Sequence, residues 1–170
     1  AARRAYETMA TRRMSFTIQN MNSYAATQQK KAYRDGRAAS MNQHINDASN
    51  FMVANNQQQF DHSLGGLIFD VNTLFTAPDY GKYQTVPAKT GKDGKLEFDT
   101  NTSDGKVAQA DYDNFLEEAT SKIFKTAITT LYNDPKNGSI DKAMDFLERN
   151  QNNMTPSTKA SLLHELSGPY

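Results

Sequence analysis

The sequence predicts a mainly α protein: long helices in the N-terminal half, a small β-hairpin or loop insertion, and a C-terminal block like an αα-hairpin. Three observations predict it. Residues 2–35 contain neither Pro nor Gly and are rich in Ala, Arg, Gln, Met and Lys, which lose little side-chain freedom on a helix. Gly81, Pro87, Gly91, Gly94 and Gly105 crowd into residues 79–107. Beyond them, apolar residues again recur every three or four positions. The boundaries therefore fall at 1–78, 79–107 and 108–170.

In the first segment Tyr6, Met9, Met14, Ile18, Met21 and Ala25 form a narrow apolar stripe, and Ala32 extends it. So thin a stripe does not hold a helix together alone and requires a partner surface. Gly36 could kink or end this helix. The pattern resumes at Met41, Ile45, Ala48 and Met52 with the alternating spacing of a heptad seam. Met21, Ile45 and Met52 are the candidate oligomer seam. Asn55 and Gln59 continue the register as polar members. A further stripe runs from Phe60 to Phe75, crossed by Gly65-Gly66, which permits a break or a close helix crossing. Pro78 closes the segment.

Asp93-Gly94 between the short alternating stretches 83–86 and 96–98 marks a hairpin whose two central residues would take positive φ. With few apolar groups to bury, residues 81–106 read as a peripheral, solvent-exposed insertion that adds little to the fold. Asp111 is then a candidate cap for a helix burying Phe115, Leu116, Ala119, Ile123, Ala127, Ile128 and Leu131. Residues 133–138 read as a turn, Ser139 as the cap of a helix carrying Ala143, Phe146 and Leu147, and Thr155-Pro156 as the start of the last helix. Gly168-Pro169 ends it.

Only 37% of the 170 residues are hydrophobic and mean hydropathy is −0.76. Much of the polarity is amide, with 15 Asn and 10 Gln. There is no cysteine, which excludes disulfides, thiolate metal sites and a cysteine nucleophile. No apolar run approaches the ~18 residues of a membrane helix. The net charge of zero hides a division. Residues 1–37 carry eight basic side chains against Glu7 and Asp35, a surplus of six positive charges. The other 133 residues carry 11 basic and 17 acidic groups, a surplus of six negative ones. Such asymmetry suggests a basic arm that meets an acidic partner: nucleic acid, a protein surface or the chain's own acidic part. Arg12, Arg13, Lys30, Lys31, Arg34 and Arg37 are the candidate DNA or partner contacts.

No catalytic constellation emerges. His44, His62 and His164 stand in no HExxH context, and Gly65-Gly66 lacks the lysine of a phosphate-binding loop. The run from Asp99 to Gly105 has Asp104 where a calcium loop needs Gly and Ala110 where it needs Glu. The expectation is a non-enzymatic chain without catalytic residues, cofactor or metal.

Residues 127–134, 143–150, 154–156 and 162–166 carry small and apolar residues at loop–helix boundaries: Ala127-Ile128 to Asn133-Asp134, Ala143 to Asn150, Met154-Thr155-Pro156, and Leu162 to Leu166. Together with Asn46-Asp47-Ala48, the stretch from Phe75 to Asp79 and the Ala/Gln/Arg-rich helix upstream, this layout resembles the internal virion proteins of short-tailed bacteriophages over roughly residues 40–167. The resemblance implies an elongated helical protein packed in the capsid interior and ejected with the phage DNA. It would oligomerise with its own copies, meet other ejection, portal or tail proteins, and help form a channel across the host cell envelope during genome delivery. Some such proteins carry a separate peptidoglycan-cleaving domain. The resemblance transfers no individual site residue, and the hairpin departs from a purely helical layout. Two rival readings are a helical adaptor or scaffold protein mediating protein–protein assembly, and a fragment of an enzyme whose active site lies elsewhere in a longer chain.

Overall fold

The computed structural model describes residues 1–136 and 140–168. Five helices and one hairpin follow in order: α1 (Ala2–Val53), α2 (Gln57–Thr76), β1 (Ala88–Thr90), β2 (Leu96–Phe98), α3 (Ser103–Asn133), α4 (Ile140–Asn150) and α5 (Pro156–Ser167). The chain is mainly α, as its periodicity predicts. Ser139, residues 137–138 of the expected turn, and Pro169 lie outside the described residues.

Gly36 neither ends nor breaks α1, which runs through it without interruption. The break comes instead at the amide-rich tract. Asn55 takes a φ of 58°, a conformation that asparagine tolerates better than most residues. Asn56 then caps α2 by accepting the Gln59 N–H at 3.2 Å. Asn55 and Gln59 are thus turn and first helical turn, not members of a continuing seam. The turn folds α2 back antiparallel along α1, and Arg37 meets Asp70 while His44 lies over Gly66. A Cβ on Gly66 would come within 2.5 Å of the His44 ring. Gly66 therefore permits a close helix crossing, Gly65 faces open space, and neither interrupts α2.

The hairpin is part of the core, which corrects the reading of a peripheral insertion. β1 and β2 pair antiparallel with Lys89 opposite Glu97. Leu96 and Phe98 alternate inward and are buried against α2 and α3. The Tyr112 hydroxyl accepts the Leu96 N–H at 3.1 Å and donates to Asn72 Oδ1 at 2.6 Å. Gln109 accepts the Phe98 N–H at 2.8 Å. Of the two turn residues only Gly94 has positive φ, at 82°. The Gly94 N–H donates to Gly91 O and the Gly91 N–H to Lys95 O, as in a longer loop with a left-handed glycine after the turn.

α3 starts at Ser103, eight residues before the expected cap at Asp111. Thr102 is the N-cap, its hydroxyl accepting the Gly105 N–H at 3.0 Å. Gly105 is required there, because a Cβ would overlap the Asp99 carbonyl oxygen.

Two apolar clusters lie along α3. The first joins the C-terminal part of α1 (Met41, Ile45, Ala48), α2 (Leu67, Val71, Phe75), the hairpin, and α3 as far as Ile123. Ser49 is buried where α1 meets α3, its hydroxyl reaching the Ile123 carbonyl at 2.9 Å. The second joins Phe124, Ala127 and Ile128 to α4 (Ala143, Phe146, Leu147) and α5 (Leu162, Leu166). Thr155 caps α5 with its hydroxyl on the Thr158 N–H, and Pro156 opens the helix.

Candidate functional site: the projecting arm

Every residue from Ala1 to Ala32 is exposed. Those residues make an arm of roughly 48 Å at 1.5 Å per residue, continuous with the buried part of α1. Met14 and Met21 are 67% and 66% exposed, and Ile18 is 54% exposed. Each apolar side chain left in water forgoes about 1.5–3 kcal/mol of burial, so the arm is the region of this molecule with the most to gain from a partner.

The expected seam divides in two. Met21 lies on the arm, whereas Ile45 is buried in the first cluster and Met52 packs half-buried against both clusters. Ile45 is occupied by the chain's own fold, and Met52 packs on both clusters while its remaining surface faces a cleft beside the α1–α2 turn. The two stripes also differ in direction. Ile18 and Ile45 are separated by about seven and a half helical turns, so the arm stripe of Met14, Ile18, Met21 and Ala25 faces half a turn away from the side on which α2 and α3 pack.

The candidate cations sort by the same geometry. Arg12 and Lys30, like Arg13 and Lys31, are separated by about five whole turns and share one azimuth. With Arg34 they lie opposite Met14, Ile18 and Met21, on the side of α1 that carries the body further along, a face they share with the exposed Met9 and Phe16. All five cations are exposed. Arg37 departs from the expectation of an outward contact. Its guanidinium donates to Asp70 Oδ1 at 3.0 Å and lies over the rings of Tyr33 and Phe69, at 5.5 Å and 5.6 Å.

Asp70 is the residue that sequence reasoning missed. Its side chain is only 2% exposed and receives Arg37, the Ser40 hydroxyl at 2.6 Å and His44 Nε2 at 3.4 Å. These three stand at successive turns of one α1 face. The hydrogen bond to Asp70 holds the Arg37 guanidinium above its ordinary value. A carboxylate buried between two helices needs such partners, and it fixes the register in which the arm leaves the body. Tyr33 adds a stacked contact with Tyr80, ring centroids 4.5 Å apart. An acid between Ile68 and Val71 on an apolar helix face is the sequence signal that could have found this cluster.

A cleft of about 740 Å³ opens between the α1–α2 turn and α4, with Phe60, Phe124 and Phe146 in its wall and Asn55, Asn150 and Asn153 among its polar lining. The three histidines are on three different helices, His44 on α1, His62 on α2 and His164 on α5. Among the described residues no helix is long and apolar enough to cross a membrane. What this geometry defines is a helical body with a long, exposed helical arm. The chain matches no family model, no curated protein and no solved structure.

Proposed function

We propose that this chain is a structural, non-enzymatic virion protein, carried inside a bacteriophage capsid and ejected with the DNA to help form a channel across the host envelope. The observation that carries the assembly part of this reading is the arm, a long helix with an apolar stripe turned away from its own body. Such a stripe gains stability only by packing on another helix. The bacteriophage part rests on the resemblance of residues 40–167 to internal virion proteins. Other ejection, portal or tail proteins are the neighbours this reading supplies.

The test is quantitative proteomics of purified particles before and after genome release. The chain should be present in full particles and depleted at least tenfold from emptied ones. A chain retained in emptied capsids overturns the ejection role.

A further inference from the structure

We infer that the cationic face of the arm docks on the acidic groove between the hairpin and α3 of a second copy of this chain. The inference rests on the reading of the chain as an assembly protein and names the partner of its arm. Residues 1–37 carry a surplus of six positive charges and the remainder an equal negative surplus. Arg37 spends one of these charges on Asp70 of its own body, but residues 1–32, with six basic side chains against Glu7, are exposed on a helix that runs unbroken away from the body. Of the arm cations only Arg3 has an ion-pair partner among the described residues, Glu7 at 3.3 Å.

Direction supports the same conclusion. Arg12, Arg13, Lys30, Lys31 and Arg34 lie on the side of α1 that buries Ile45 further along, within about 60° of it. The arm therefore presents these cations on a face that its own body leaves uncovered. The body offers a groove lined by Asp99 and Asp113, together with Glu97, which pairs with Lys89 at 3.6 Å. Glu117, one turn beyond Asp113 on α3, extends the acidic surface and is exposed. Charge complementarity of this kind orients an encounter and fixes its register. Nucleic acid fits less well, because the acidic body repels the phosphates that the arm attracts. A contact joining different surfaces of successive copies propagates, giving a ring if the rotation closes and a filament if it does not.

The test is sedimentation velocity of the 170-residue chain and three variants, at low salt and at 0.5 M salt. The arm variant carries Arg12→Glu, Arg13→Glu, Lys30→Glu and Lys31→Glu. The groove variant carries Asp113→Lys and Glu117→Lys, and the third combines both sets. The wild-type chain should associate, more weakly at high salt. Each single set should weaken association by about tenfold or more, and the combined set should restore it. Because Asp113 accepts a hydrogen bond from Gln109, Asp113→Asn with Glu117→Gln tests the same groove with less disturbance of the hairpin and should weaken association too. Monomers under both conditions, association indifferent to both charge sets, or a combined variant no better than the single ones overturns the inference. So does an arm that shifts random duplex DNA while the chain itself stays monomeric. Failure here leaves ejection to be decided by particle proteomics, and an unejected chain can still pass this test.

Discussion

One helix contains both of the environments that matter in this protein. Along residues 41–52, α1 buries Met41, Ile45 and Ala48 against α2 and α3. Along residues 1–32 the same helix buries nothing. Both stretches are built from helix-forming residues with apolar positions three or four apart, so local propensity does not distinguish them. What differs is the direction of the stripe and the presence of a neighbour. A buried face and an exposed apolar stripe are here written in the same pattern, half a turn out of phase.

The sharpest way to break that comparison is to put one charge in each stretch. Ile45→Asp buries a carboxylate without a partner and should cost about 3–5 kcal/mol, enough to lose cooperative thermal unfolding. Met21→Asp should change the thermal midpoint of the body by less than about 0.5 kcal/mol equivalent. Its effect should appear in sedimentation, as a shift to smaller species. A Met21→Asp chain as unstable as Ile45→Asp would show that the arm belongs to the core.

Next in size is the hairpin, whose place in the body can be tested by Phe98→Ala. Removing this buried ring should cost about 3–5 kcal/mol in denaturant unfolding. A loss below about 0.5 kcal/mol would return the hairpin to the periphery.

Tyr112→Phe should cost less, about 1–3 kcal/mol, because it strands the Leu96 N–H and the Asn72 carbonyl. It also carries a pH signature. Burial pushes the Tyr112 phenol above its ordinary value, so the stabilisation is fully present below the unfolded pKa of about 10 and is lost as pH rises toward the folded one. The stability profile of the Phe variant should therefore be flatter on the alkaline side. The smallest effect belongs to Asp111. Its carboxyl is held below its ordinary value by the Lys82 ammonium at 2.6 Å and then by the Tyr83 hydroxyl at 2.7 Å. That stabilisation exists above the unfolded carboxylate range and is lost as pH falls through the depressed folded pKa. Lys82→Met should therefore lower the neutral-pH thermal midpoint slightly, and the difference from the wild-type chain should shrink as pH falls through the carboxylate range.

The helices were legible because periodicity and glycine placement report directly on them. Thr155-Pro156 marked the start of α5, and the crowding of glycines marked the hairpin. Met21 does not share a seam with Ile45 and Met52, because matching spacing is not matching phase: 24 residues leave Met21 about a third of a turn away from Ile45. The inward face of the hairpin was missed for a different reason. Three-residue strands with a charged residue at each centre, Lys89 and Glu97, look solvated until Leu96 and Phe98 are seen to alternate with Glu97. The partners of Asp70 and Tyr112 lie at long sequence separations, 33 residues for Arg37–Asp70 and 40 for Asn72–Tyr112. No local pattern encodes such pairs.

The unbroken passage of α1 through Gly36 has a mechanical consequence. A rigid helix anchored at Arg37, His44 and Asp70 is a lever with a short inner end and an outer end of roughly 48 Å. Rotating it by about 5° at the anchor would sweep its tip through about 4 Å, more than the length of a hydrogen bond. Repacking of a single ring at the Gly66 crossing is then felt at the tip as a displacement large enough to make or lose a contact.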